Sequence, residues 1–261
     1  MAQSGSALGW GSSGRWFKSS RPDKQELYNT TIMKTAISSL KLFFYISLFY
    51  SCNDNDSSQV FIYKYLALGD SYTYGEGVCE SCAFPIQLSD TLYTYLDEEI
   101  NLLSIAQTGW TTTNLIDQIS IINPLNNFDL VTLLIGVNNQ FQRIPFAVYE
   151  EEFPYLLEKA IMLAKNDHNR VIVISIPDYS YTPFGQFYSN TDLVSNEINQ
   201  YNEFASNVCE QKDVYFEDIT DISILGLDQP ELIASDGLHL SELTYSKIVN
   251  RIFQKASSIL Q

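Results

Sequence analysis

Five runs rich in apolar and β-branched residues punctuate the chain, at 61–68, 100–106, 128–135, 171–176 and 214–217. The third and fourth are almost continuously apolar, the pattern of strands covered on both faces. Between the runs, apolar positions recur at helical spacing. Phe84, Leu88, Leu92 and Tyr95 form one stripe, and Tyr149, Phe153, Leu156, Ala160 and Ile161 a second. Ile198, Tyr201 and Val208 suggest a third, and Tyr245, Ile248, Ile252 and Ile259 a last. A shorter helix is expected over 113–122. Strand alternating with helix at this rhythm predicts a parallel sheet with helices on both faces. Right-handed crossovers then put every strand C-terminus on one edge, where ligands bind in open α/β sheets. No repeat or linker interrupts residues 61–261, so they are read as one domain.

The first sixty residues follow other rules. Residues 1–32 are rich in Ser, Gly and basic side chains without apolar periodicity, and read as disordered or as lying ahead of the true start. Met33 and Lys34 lead into an uncharged run at 42–50. Nine residues are too few to span a bilayer, which takes roughly 20 in a helix. A short basic start before a short apolar run is instead the layout of a secretory signal, over residues 33–51. That run ends in Leu48-Phe49-Tyr50-Ser51-Cys52 and is followed by the polar linker 52–60. It resembles a relaxed bacterial lipoprotein signal, which implies an acylated Cys52 and an exported, membrane-anchored protein of the periplasm or cell surface. The competing expectation is an uncleaved membrane-associated leader or a buried amphipathic helix.

Charge narrows the partners. The chain carries 15 basic and 31 acidic side chains, a net −16. Six basic and two acidic groups precede Cys52, leaving 9 and 29 beyond residue 51, net −20. Such a surface repels phosphate backbones and anionic lipid heads, so nucleic acid is not an expected partner and membrane attachment would rest on acyl chains. With 45% hydrophobic residues the chain is rich enough for a packed core. His168 and His239 are its two histidines, and neither has a metal-spaced partner, so no metal is expected.

Candidate chemistry sits at the predicted strand ends. Leu68-Gly69-Asp70-Ser71 closes the first strand, where glycine permits a tight turn and a helix beginning nearby would present backbone N–H groups. Gly69, Gly75 and Gly77 do not make a phosphate loop, because no Gly-Lys-Ser/Thr follows and Asp70 and Glu76 would repel phosphate. Alone, such a serine is as consistent with a turn or cap. Ser235-Asp236-Gly237-Leu238-His239 lies between the fifth strand and the last helical stripe. A histidine there suits proton transfer from a serine, with Asp236 holding its tautomer or capping the helix. Gly109, after the second strand, offers an unhindered amide. Asn138, after the third, offers a side-chain amide. Each is equally compatible with a hinge or a turn.

Taken in order, Gly69-Asp70-Ser71, Gly109, Gly136-x-Asn138 and Asp236-x-x-His239 resemble the SGNH, or GDSL-type, hydrolase superfamily over about 180 residues. The resemblance implies a flavodoxin-like three-layer α/β/α sandwich with a mainly parallel five-stranded sheet, and ester hydrolysis without metal or cofactor. It implies Ser71 as nucleophile, His239 as general base and Asp236 as its carboxylate partner. The Ser71 and Gly109 amides and the Asn138 side chain would form the oxyanion hole. Tyr72, Asn139 and Leu240 depart from the leucine, aspartate and proline common at those places, and leave the substrate open.

Two further features bear on specificity. Cys79 and Cys82 stand two residues apart in the loop beyond Ser71, where an exported protein could pair them, with redox or metal chemistry as other readings. Cys209, on a helical stripe, is expected to be a buried free thiol. Tyr179, Tyr181 and Phe184 follow the fourth strand and either line a substrate cleft or pack on their own domain. The leading expectation is a carboxylic ester hydrolase acting on a small-molecule, lipid or glycan ester: an acyl esterase, a lysophospholipase-like enzyme or a carbohydrate deacetylase. The alternative is a lipid-anchored surface protein that binds glycan or lipid in the same cleft without cutting it.

Overall fold

The structure, a computed structural model, describes residues 15–16, 62–188 and 190–261. The proposed signal at 33–51, the linker 52–60 and Cys52 lie outside the described residues, as does residues 1–32 apart from 15–16. Among the described residues no helix is long and apolar enough to cross a membrane.

Five strands run parallel, β2 (Ile62–Gly69), β3 (Glu99–Ala106), β4 (Leu130–Leu134), β5 (Val171–Ile174) and β6 (Tyr215–Glu217). Their order across the sheet is β3-β2-β4-β5-β6, the flavodoxin-like order of a doubly wound fold. A two-residue strand, β1 (Arg15–Trp16), adds antiparallel to the outer edge of β3. β4 and β5 are buried at every position, as their uninterrupted apolar sequence requires. β6, at the other edge, is only half-buried.

The helical stripes close the sheet from both sides. α2 (Phe84–Leu96) and α9 (Glu242–Leu260) pack together as one layer. α3 (Thr112–Ile122), α5 (Phe146–Leu163) and α7 (Thr191–Gln211) form the other. Phe84, Leu88 and Leu92 are wholly buried, whereas Tyr95, in the last turn of α2, is exposed and meets Phe253 edge-on. Truncating Leu88 or Leu92 to alanine would cost about 2–5 kcal/mol. On the opposite layer Tyr149 stacks on Phe153 and meets Tyr201 at a tilt. Asn202 of α7 both accepts from Ile176 N–H and donates to Ile176 C=O, at 2.9 Å each, which pairs the backbone just beyond β5 where the ladder has stopped. Cys209 is a buried free thiol whose pKa burial pushes up to about 12.

The corner after β2 positions everything that follows. A Cβ at Gly69 would stand 2.4 Å from the Leu134 carbonyl oxygen and 2.1 Å from Thr73 Oγ1, so no other residue fits. Asp70 then caps the short helix α1 (Ser71–Tyr74), its Oδ1 accepting from Tyr72 N–H at 3.1 Å. The Asp70 side chain is fully buried, and its Oδ2 has no hydrogen-bond partner among the described residues. Burial pushes the carboxyl up to about 7, against the downward pull of N–H donors from Tyr72, Asp70 itself and Gly136.

The fold therefore prefers Asp70 protonated, and its contribution is fully present near pH 4 and lost as pH rises through about 7. Asp70→Asn keeps the cap and cannot titrate. Urea midpoints from pH 4 to 8 should show the stability of the native protein relative to Asp70→Asn falling with pH, by on the order of a few kcal/mol, and levelling above pH 8. Parallel curves for the two proteins would mean that Asp70 does not titrate in this range.

Candidate active site

The sheet register brings three loops to one edge. Gly69 of β2 is level with Ala106 of β3 and Leu134 of β4, so the three central strands end together. Ser71, Gly109 and Asn138 follow those ends by two to four residues. Ser71 is the first residue of α1 and is 4% exposed. Its N–H is one of the amides that a helix leaves without an internal acceptor. Gly109 turns with φ +84°, a conformation that favours glycine, and a Cβ there would meet nothing within 4 Å. The space above its backbone is open.

Asn138 lies on α4 (Val137–Phe141), a five-residue helix that no apolar period announced. Successive side chains of this segment hold the Gly109 loop. Asn138 Nδ2 donates to Trp110 C=O at 3.0 Å and Gln142 Nε2 donates to Gly109 C=O at 2.8 Å. Asn139, fully buried, accepts from Thr112 N–H at 2.9 Å and donates to Thr112 Oγ1 at 2.6 Å. The Asn138 amide has two N–H groups, of which Trp110 takes one, leaving the other for a ligand. Gln142 and the positioning role of Asn139 were not legible in the sequence. The polar Asn138-Asn139-Gln140-x-Gln142 run, set among apolar neighbours, was the signal available.

The loop carrying Asp236 and His239 is fastened at both ends. Ala234 N–H donates to His239 C=O at 2.8 Å and Ser241 N–H to Leu232 C=O at 2.9 Å, a short antiparallel clasp. Ser241 then caps α9, its Oγ accepting from Thr244 N–H. Within the clasp Asp236 Oδ1 accepts from the N–H groups of Leu238 and His239, at 2.9 and 3.0 Å. Its other oxygen, Oδ2, lies 2.6 Å from His239 Nδ1. A carboxylate can only accept, so Nδ1 carries the proton and Nε2 is left to accept one. Partial burial pulls the Asp236 carboxyl upward, but the two backbone donors and the imidazole outweigh it and hold it below the usual carboxylate range.

Two contacts set this loop against the Ser71 helix. The rings of Tyr72 and His239 meet edge-on with centroids 5.8 Å apart. On the other side, a Cβ at Gly77 would stand 2.9 Å from Asp236 Oδ2. The segment between α1 and α2 also reaches the Gly109 loop, where Thr108 Oγ1 donates to Glu76 at 2.5 Å. Cys79 and Cys82 are joined by a disulfide in the same segment, their Cα atoms 5.0 Å apart.

The aromatic residues after β5 separate. Tyr179 is buried and its hydroxyl donates to Gln140 Oε1 at 2.9 Å, while Phe184 is half-buried with its ring 6.1 Å from Phe141. Both line a cleft of about 260 Å³ with Gln140, Phe141, Arg143 and Glu197. Tyr181, 37% exposed, is not among the lining residues. A wider, shallow depression between the last turns of α2 and Phe253 lies where α2 delivers the chain to the start of β3, at the opposite edge of the sheet. His168, the other histidine, is half-buried and bonded through Nδ1 to Asp213 C=O. Among the described residues no cluster of three or more His, Cys, Asp or Glu is arranged to hold a metal ion.

Comparison with known proteins places this architecture. The fold is similar to that of a lipase/acylhydrolase from Enterococcus faecalis, with 20% identity, 75% of this chain and 96% of that one covered, and a TM-score of 0.56. It is similar to the acetyl xylan esterase Axe2 from Geobacillus stearothermophilus, at 19% identity, 74% and 94% coverage and a TM-score of 0.55. The psychrotrophic esterase EstA from Pseudoalteromonas sp. gives 16%, 76%, 98% and 0.51. No curated protein sequence matches the chain. Residues 67–247, which span all four motif blocks and the five parallel strands but for the first residues of β2, match a family of hydrolases, and the chain belongs to it: the GDSL-like lipase/acylhydrolase family.

Proposed function

We propose that the protein hydrolyses carboxylic esters through an acyl-serine intermediate, with Ser71 as nucleophile, His239 as general base and Asp236 as its orienting carboxylate. The observation that carries this reading is the 2.6 Å pairing of His239 Nδ1 with Asp236 Oδ2 on a clasped loop packed against the helix that Ser71 opens. Held in that tautomer, Nε2 is the ring atom able to take a proton. As Ser71 Oγ attacks the ester carbonyl, Nε2 accepts the hydroxyl proton and then passes it to the departing alkoxide, which leaves as the alcohol. Water attacks the acyl-enzyme, giving its proton to the same nitrogen, and the acid leaves as Ser71 recovers its hydrogen. Asp236, ionised well below neutrality, stabilises the imidazolium formed in each half-reaction.

Negative charge on the carbonyl oxygen would be met by the amides of Ser71 and Gly109 and by the free N–H of Asn138. The Gly109 and Asn138 donors are set before reaction by the bonds from Asn138 on α4 and Gln142 just beyond it to the Gly109 loop, and preorganised donors cost no rearrangement as charge develops. The disulfide-bearing segment touches both sides of this arrangement, through Glu76 on one and Gly77 on the other.

For the segment ahead of the domain we propose export and acylation at Cys52, which would tether this acidic enzyme to a membrane surface. Its support is the sequence layout of residues 33–60.

Ser71→Ala should abolish turnover of 4-nitrophenyl acetate without changing the far-ultraviolet circular dichroism, and Asn138→Ala should lower kcat by about 10²–10³-fold. A fluorophosphonate probe should label the native protein and fail on His239→Ala. An unlabelled native protein that binds esters without cutting them would establish the binding-protein alternative. In an expressing bacterium, radiolabelled palmitate should enter the native chain and not Cys52→Ala; label retained in the variant would remove the anchor.

A further inference from the structure

The cleft beside α4 is joined to both halves of the candidate site. Asn138 and Phe141 are three residues apart on one helix, so their side chains are neighbours on its surface. On the far side, Phe184 N–H donates to Gly237 C=O at 2.9 Å, two residues before His239. These two links tie the lining of the cleft to the helix that bears Asn138 and to the loop that bears His239.

The walls are set by a buried polar relay. Tyr179 hydroxyl donates to Gln140 Oε1 at 2.9 Å, and Gln140 Nε2 donates to Glu197 Oε2 at 2.6 Å. Gln140 is 7% exposed, so this chain fixes the Glu197 carboxylate in the cleft wall while leaving lone pairs for a ligand. Phe141 is 48% exposed and carries Tyr179 and Phe184 against it, with centroids at 5.7 and 6.1 Å, presenting a supported aromatic face. Arg143 adds a guanidinium, and Asn190, Leu193 and Val194 complete the lining.

Elimination on charge and size identifies the ligand class. A fatty chain would meet Leu193 and Val194 but would also strip water from Glu197 and Arg143 without replacing their hydrogen bonds, which is costly for charged groups. An anionic head group meets Glu197 and a chain of net charge −16. A cationic group would be drawn to the aromatic faces and Glu197 but meets Arg143. An uncharged ring bearing several hydroxyls conflicts with none of these: its C–H face lies on Phe141, and its hydroxyls donate to Glu197 and accept from Arg143. About 260 Å³ is just below the roughly 300–1,000 Å³ of drug-sized ligand sites, which fits one ring better than a long chain.

We propose that this cleft, built from Phe141, Arg143, Phe184 and the Tyr179–Gln140–Glu197 relay, is a subsite for a neutral sugar ring, so that the ester cleaved at Ser71 is borne by a carbohydrate. The proposal rests on the hydrolase reading for its catalytic half and is separable from it for its binding half.

Calorimetry on Ser71→Ala, which holds an ester without turning it over, tests the binding half with a partly acetylated neutral disaccharide and with lysophosphatidylcholine. The disaccharide should bind and the lysolipid should not. Adding Phe141→Ala or Glu197→Gln should weaken disaccharide binding at least about tenfold. In the catalytic protein the same substitutions should lower the ratio of kcat/KM for the acetylated disaccharide to that for 4-nitrophenyl acetate about tenfold, chiefly through KM. Lysolipid binding without disaccharide binding, or an unchanged ratio, overturns the proposal. Disaccharide binding by a protein that cleaves no ester would sink the hydrolase reading and leave the subsite standing. Cleavage of 4-nitrophenyl acetate without disaccharide binding does the reverse.

Discussion

A missing side chain at residue 69 governs the rest of the molecule. The β2 corner passes so close to the Leu134 carbonyl and to Thr73 that any Cβ would collide with both. Because glycine allows that approach, β2, β3 and β4 end level and the loops beyond them converge. Every candidate catalytic group is downstream of this closeness. Ser71 opens the helix that Asp70 caps, the Gly109 loop reaches Glu76 just beyond it through Thr108, and the Gly136 N–H ahead of Asn138 bonds to Asp70.

What holds those loops is polar and local. The strands are fixed by a continuous apolar core, to which none of Ser71, Gly109, Asn138, Asp236 and His239 belongs. α4 instead hands side-chain amides to the Gly109 loop and to Thr112, and a two-rung clasp pins Asp236 and His239. Single hydrogen bonds of this kind contribute only about 0.5–1.5 kcal/mol each to stability. Their effect here is on geometry: a buried Asn139 with both ends satisfied has one orientation, and so does the loop that it holds. Asp70, next to Ser71, is the reverse case: burial removes water from its carboxyl, so the fold resists its ionisation, and Oδ2 has no partner among the described residues to offset this.

The same division explains how the site relates to its substrate. Donors around Ser71 come from backbone and from α4, which fits chemistry common to any ester. The cleft beyond Phe141 is lined by side chains from α4, from the segment after β5 and from α7, three parts of the chain that no short motif joins. On the proposed reading, selectivity rests on residues distant in sequence from Ser71 and His239.

Much of this was open to the sequence. Apolar runs of period two or none, alternating with stripes of period 3.6, require a covered sheet, and strands and helices stand within a few residues of those patterns. Three of the motif blocks could be placed just past predicted strand ends, and the fourth ahead of the last helix, but their joint meaning came from the family resemblance, since each alone fits a turn, cap or hinge. Short elements were not legible: α1 and α4 bury too few apolar positions to show a period, and β1 is only two residues long. Nor could the sequence choose between packing and cleft for the aromatic segment, and the structure divides it, with Tyr179 and Phe184 in the cleft lining and Tyr181 outside it. Composition and periodicity fix which surfaces must be hidden from water, and so decide the architecture. Which polar side chains then meet across loops depends on register and close approach, distances that exist only once the chain has folded.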